Sequence, residues 1–112
     1  MANIYKNAFY DPSVTTAVTL YTAPTNANAI VQNIQITNQS GSKNVTARVT
    51  DFSASTSYIV AYAAVTGPTI CNIAKGPIIL EESDSISLES TDTSAISATI
   101  ALLEISRDDQ NG

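Results

Sequence analysis

Apolar and polar positions alternate with a period of two over most of the chain. In Val45-Thr46-Ala47-Arg48-Val49-Thr50 the apolar members fall on odd numbers and in Ile86-Ser87-Leu88-Glu89 on even ones. Each run predicts a strand with one dry and one wet face. The segment from Ile30 to Thr37 sets Ile30, Ile34 and Ile36 in one phase, against a far face of amides and hydroxyls. Gly76 to Glu89 reads as an apolar strand, an acidic corner at Glu81-Glu82-Ser83-Asp84 and an alternating strand, so two antiparallel strands joined by a tight bend are expected there. Tyr58 to Val65 and much of Ala95 to Ile105 are apolar in both phases, which suits strands packed between the core and another element or another subunit. Near the chain's end, Ile96, Ala98, Ile100 and Leu102 share one phase, Leu103 and Ile105 take the other, and Glu104 stands where an apolar residue is due. A bulge, or burial on both sides, is expected near Leu102.

Turn-forming residues separate these runs at 23–28, 38–44, 53–57, 66–68, 75–77 and 90–94. β-Branched residues are plentiful and no apolar stripe of helical period carries good caps, so helix is expected to be one turn at most. About eight strands follow, and with them an all-β fold: a single jelly-roll-like antiparallel β-sandwich spanning residues 1–112. A chain of 112 residues has room for one core and no second domain. Residues 1–12 stand apart. Tyr5, Phe9 and Tyr10 crowd into six residues before Asp11-Pro12 ends the run, so this segment is either an ordinary edge strand or an arm laid on a neighbour. Ile4, Tyr5, Phe9 and Tyr10 are the candidate partner interface, because large rings dominate contact energetics. An arm of that kind could be removed without unfolding the domain. Residues 106–112 read as a polar tail.

Composition narrows the chemistry. Hydrophobic residues make up 44% and charged residues only 13%, so solubility falls to Ser, Thr, Asn and Gln. Lys6, Lys43, Arg48, Lys75 and Arg107 are scattered singly in a chain of net charge −5, which argues against nucleic-acid binding. No apolar run approaches the ~18 residues of a membrane span, and the first ten residues lack the core of a signal peptide, so synthesis in the cytoplasm is expected. Histidine is absent, which removes the usual general base, nucleophile partner and metal ligand together. Glu81, Glu82, Asp84 and Glu89 could form a glycosidase-like carboxylate pair, but such clefts are lined with aromatic rings and this chain has no tryptophan. The acidic corner could hold a cation unspecifically, although Asp84 is better explained as an acceptor for turn amides. Cys71, the single cysteine, sits among apolar and small neighbours as a buried thiol. Tyr21, Tyr58 and Tyr62 could serve a sugar-binding surface or, more simply, a core or an interface. No catalytic, cofactor-binding or metal residues are assigned, and no enzyme is expected.

The order Val18-Thr19-Leu20-Tyr21-Thr22-Ala23-Pro24, then Ala29-Ile30-Val31-Gln32-Asn33-Ile34-Gln35-Ile36-Thr37-Asn38, and later Gly76-Pro77-Ile78-Ile79-Leu80-Glu81-Glu82-Ser83-Asp84-Ser85-Ile86 resembles small β-sandwich virion proteins of tailed bacteriophages, those of marine cyanophages and their relatives in particular. The likeness covers residues 14 to 105. Ser83 stands where that pattern has glycine, at a position where serine disfavours positive φ. The resemblance implies an accessory structural protein located in the virion, most simply a capsid decoration protein bound to the major capsid protein or other virion proteins, as a homo-oligomer such as a trimer. A neck, tail or fibre-attachment component is the alternative. A carbohydrate-binding module is the rival from another class.

Overall fold

The computed structural model describes residues 2–106. Nine strands follow in order: β1 (Ala2–Tyr10), β2 (Val18–Thr22), β3 (Ala27–Asn38), β4 (Ser42–Asp51), β5 (Thr56–Thr66), β6 (Thr69–Asn72), β7 (Ile78–Leu80), β8 (Ser85–Ser90) and β9 (Ile96–Ser106). All pairings are antiparallel. The front sheet runs β1-β9-β3, with β6 and β7 both paired to the far side of β3, and the back sheet runs β2-β8-β4-β5. With β6 and β7 counted as one interrupted strand, this is the eight-stranded jelly roll of two interleaved Greek keys. The expected strand count is exceeded by one because Lys75-Gly76-Pro77 interrupts the strand along β3. No helical turn forms among the described residues, and of the expected polar tail only Ser106 lies within them.

Alternation fills the space between the sheets. Val45, Ala47 and Val49 of β4 and Ile86 and Leu88 of β8 meet Ile34, Ile36, Ile100 and Leu102 of the front sheet in one buried cluster. Three one-residue register shifts reset the phase: within β2 between Thr19 and Tyr21, within β3 between Val31 and Asn33, and in the β4–β5 pair opposite Ala47 and Arg48. The β3 shift overturns one expectation. Ala29, Val31, Ile34 and Ile36 face the core, whereas Ile30 lies on the outer face with Leu103 and Ile79 as its cross-strand partners. The irregularity expected near Leu102 therefore exists, but it sits across the ladder at Gln32, and β9 itself runs on unbroken with Glu104 held in the core phase.

A second correction concerns the acidic corner. β7 pairs with β3 in the front sheet and β8 with β2 and β4 in the back one, so residues 81–84 cross between the sheets and do not close a hairpin. The reason is local. The Asp84 carboxylate, 7% exposed, accepts the Phe52 amide on Oδ1 and the Glu81 amide on Oδ2, each at 3.0 Å. The backbone of Ser83 and Asp84 bonds both ways to Ala23 at 2.8 Å. Ser83 takes φ 69°, the left-handed conformation that suits glycine, and the corner's four anchoring bonds offset a strain of about 1 kcal/mol.

The opposite end of the sandwich is pinned by a buried polar group. Lys43 Nζ donates to Asn38 Oδ1 at 2.9 Å and to the Ser40 carbonyl, while Asn38 Nδ2 donates to the carbonyls of Gly41 and Val65. Gly67 packs beneath this cluster. A β-carbon there would lie 2.6 Å from the Ser40 nitrogen, so close backbone approach requires glycine.

Candidate functional site

Of the four carboxylates that could have carried chemistry, three are spent on structure and Glu81 stands exposed at the corner. Asp84 serves the corner, Glu82 accepts the Asn26 amide, and Glu89 pairs with Arg48 on the outer face of the back sheet. Cys71 lies in the core phase of β6, opposite Ile36, and packs half-buried against the cluster. No group of three or more metal-ligating side chains comes together among the described residues.

Glu104 lies in the core phase of β9, at 6% exposure. Tyr21 of β2 donates its hydroxyl to Oε1 at 2.6 Å across the sheets, and Lys6 of β1 lies 3.2 Å from the same atom. The Tyr21 hydrogen bond, ahead of Lys6 and against the opposing effect of burial, holds the Glu104 carboxyl below its ordinary value. Burial first, then the bond to Glu104 and its charge, push the Tyr21 phenol far above its own, so it remains a donor. A carboxylate lowered on folding stabilises the fold fully above its unfolded pKa and stops doing so as pH falls through the folded one. Glu104→Gln is therefore expected to cost stability at neutral pH, and the gap from the parent should narrow below about pH 4. Urea unfolding of both chains across that range measures it, and a constant gap would show that the carboxylate is not coupled to its partners.

What remains unsatisfied is apolar surface. On the outer face of the front sheet, Tyr5, Leu103, Ile30 and Ile79 stand directly opposite one another across β1, β9, β3 and β7. The ends of the row are open, with Tyr5 77% and Ile79 57% exposed, and its middle is half-buried. Ala101 and Ile105 of β9 flank it, and Asn3, Asn7, Asn28 and Asn33 surround it. Every outward position of β1, β9 and β3 is uncharged, because Lys6 and Glu104 occupy the inward phase. Toward the far end of the same face, Phe9 borders a depression of about 390 Å³ and Ile70 one of about 400 Å³, which share Thr37 and Gln39. The outer face of the back sheet is different. Its centre carries Thr19, Thr46, Thr50, Ser57, Ser85 and Ser87, together with the Arg48–Glu89 pair, and exposed apolar side chains, Ile59 and Tyr62, stand only at its β5 edge.

The four amino-terminal candidates are thus divided. β1 is an ordinary edge strand, paired along its length with β9. Its odd residues Tyr5 and Phe9 point outward, Ile4 lies half-exposed in the inward phase, and Tyr10, 1% exposed, is a core residue and offers a partner no surface. The tyrosines considered for a sugar surface are divided too. Tyr21 is committed to Glu104, and the register shift at Val60 sets Tyr58 opposite Val49 on the inner side and Tyr62 opposite Thr46 on the outer, so the two rings form no common platform. Leu103, Ile30 and Ile79 were missed as surface residues. Their signal was the three-residue step from Val31 to Ile34, which marks a change of phase inside one strand.

No protein-family model matches the chain, and no curated protein matches it in sequence. Among solved structures, it is similar to a chain of infectious bursal disease virus, Gt strain, at 12% identity and a TM-score of 0.44, over 93% of this chain and 29% of that one. A chain of the virus-like particle of extra small virus from the giant freshwater prawn Macrobrachium rosenbergii is similar at 15% identity and a TM-score of 0.33, over 93% of this chain and 79% of that one. A chain of the Gx strain of infectious bursal disease virus is similar at 9% identity and a TM-score of 0.35. It spans 29% and 35% of the two bursal disease virus chains.

Proposed function

We propose that this protein is a non-enzymatic virion structural protein of a tailed bacteriophage, a capsid decoration protein that binds the major capsid protein through the outer face of its front sheet. The phage context rests on the sequence resemblance. The observation that carries the mechanism is the registered row Tyr5–Leu103–Ile30–Ile79 on a face without charge, rimmed by amides. A charge-depleted apolar centre inside a polar rim is the anatomy of a protein–protein contact. A stable contact buries roughly 800 Å² per partner, which the row and its amide rim could supply, and repetition over many equivalent sites multiplies the effect. The hydroxyl-rich back face would remain in water. No bond is made or broken in this mechanism, and the absence of imidazole is no obstacle to it.

Ile79 and Tyr5 are both open enough to change without touching the core. Tyr5→Lys combined with Ile79→Lys is expected to leave the melting temperature within a few degrees of the parent and to weaken binding to undecorated capsids at least about tenfold. Cosedimentation measures it. Normal incorporation of the double variant would remove this face from the mechanism, and failure to find the protein in purified virions would end the proposal. Copy number in those particles separates the rival locations: hundreds favour the head, and a dozen or so the neck or tail.

A further inference from the structure

We propose that β5 pairs antiparallel with β5 of a second copy, joining two four-stranded back sheets across a twofold axis. The inference is independent of the capsid proposal, which uses the other sheet.

An exposed sheet edge is a row of unpaired amides and carbonyls, and proteins that remain monomeric blunt their edges with charge, proline, shortness or a bulge. Three of the four boundaries here are blunted. β1 carries Lys6 in its inward phase, β2 has only five residues, and the far side of β3 is covered only by pieces of four and three residues. β5 is unlike them. It runs eleven residues, Thr56–Thr66, with no charge and no proline, and its one interruption is the shift at Val60. It is also apolar where it is open: Tyr58, Ile59, Val60 and Tyr62 are all exposed, and no other element among the described residues covers them.

The occupant that fits is the same strand from another molecule. Antiparallel pairing of identical strands is self-complementary, so each copy satisfies the other's main chain and the contact closes on itself. Charge points the same way. Two molecules of net charge −5 repel, but they would meet here along a neutral strand, and the charged residues opposite it on β4, Lys43, Arg48 and Asp51, are each engaged within the chain. At about 200 Å² per aromatic side chain, Tyr58 and Tyr62 alone leave roughly 250 Å² open on each copy. With Ile59, Val60 and the strand backbone added, the contact falls toward the small end of specific interfaces, which suits a micromolar dimer. Growth stops at two because β2, the other edge of the back sheet, has only five residues.

Sedimentation velocity of the purified chain tests this. The parent is expected to pass from monomer to dimer as its concentration rises through the micromolar range, with β5 amides, and not those of β1, exchanging hydrogen more slowly in the dimer. Tyr62→Lys and Ala64→Lys both alter exposed outer positions, and each should raise the dissociation constant at least about tenfold while retaining the parent's melting behaviour. Phe9→Lys, an equally exposed change on the other sheet, should leave the dimer intact. A parent that stays monomeric at millimolar concentration overturns the proposal. So does a dimer that survives both β5 variants or is broken by Phe9→Lys.

Discussion

Deleting residues 1–10 is expected to unfold the domain, contrary to what a detachable arm would do. β1 pairs with β9 from Ala2 to Tyr10, so its loss turns a central strand of the front sheet into an edge and strips that side of the ladder of its hydrogen bonds. It also removes Tyr10 from the core. An aromatic side chain buries 150–250 Å², which at about 25 cal/mol per Å² amounts to roughly 4–6 kcal/mol, against a total stability on the order of 5–15 kcal/mol for a domain of this kind. Two point variants isolate the packing contribution. Tyr10→Ala should cost about 3–5 kcal/mol, while Tyr10→Phe should be nearly neutral, because the buried hydroxyl makes no hydrogen bond in the fold. Urea unfolding followed by circular dichroism reads all three chains. A truncated chain that melts cooperatively near the parent's midpoint would show that β1 is dispensable after all.

Asp84→Ala is expected to be the most damaging single change outside the apolar core, at about 3–4 kcal/mol. Its two carboxylate oxygens accept one amide from the β4–β5 loop and one from the corner itself, and charge-assisted bonds of this kind contribute about 1.5–3 kcal/mol each. Alanine leaves both amides unanswered where the chain crosses from one sheet to the other. Asp84→Asn keeps one acceptor oxygen and should recover part of the loss. Thermal melts of the two variants beside the parent decide it. Equal melting temperatures for all three would reduce the corner to a solvated loop.

The sandwich was legible because alternation is a property of neighbouring residues. Val45 to Thr50 and Ile86 to Glu89 face as their phases require, and each predicted break falls between strands or at a strand's end. Partnership was not legible. The Ile78–Leu80 and Ser85–Ser90 strands look like a hairpin in sequence, and only the docking of Asp84 on Phe52 reveals that they belong to different sheets. The candidate surface was hidden for a related reason. Period-two reasoning carries a phase forward until something resets it; the residue types of Gln32 and Val60 announce no reset, and in β3 only the spacing of Val31 and Ile34 does. Ile30 was therefore assigned to the core and Leu103 left ambiguous. Tyr10, two residues before Pro12 in an aromatic cluster's company, looks like a contact residue and is instead sealed inside because its phase follows Lys6 and Ala8.

The extra residue in β3 has a further implication for how such a chain could change over time. A variant lacking Gln32 would pair without the bulge, yet Ile30 would stay on the outer face, because three residues instead of four would then separate it from Ile34. The sticky patch therefore outlives the irregularity that turns it outward. Shortening the strand at that point would not free such a chain from a shell.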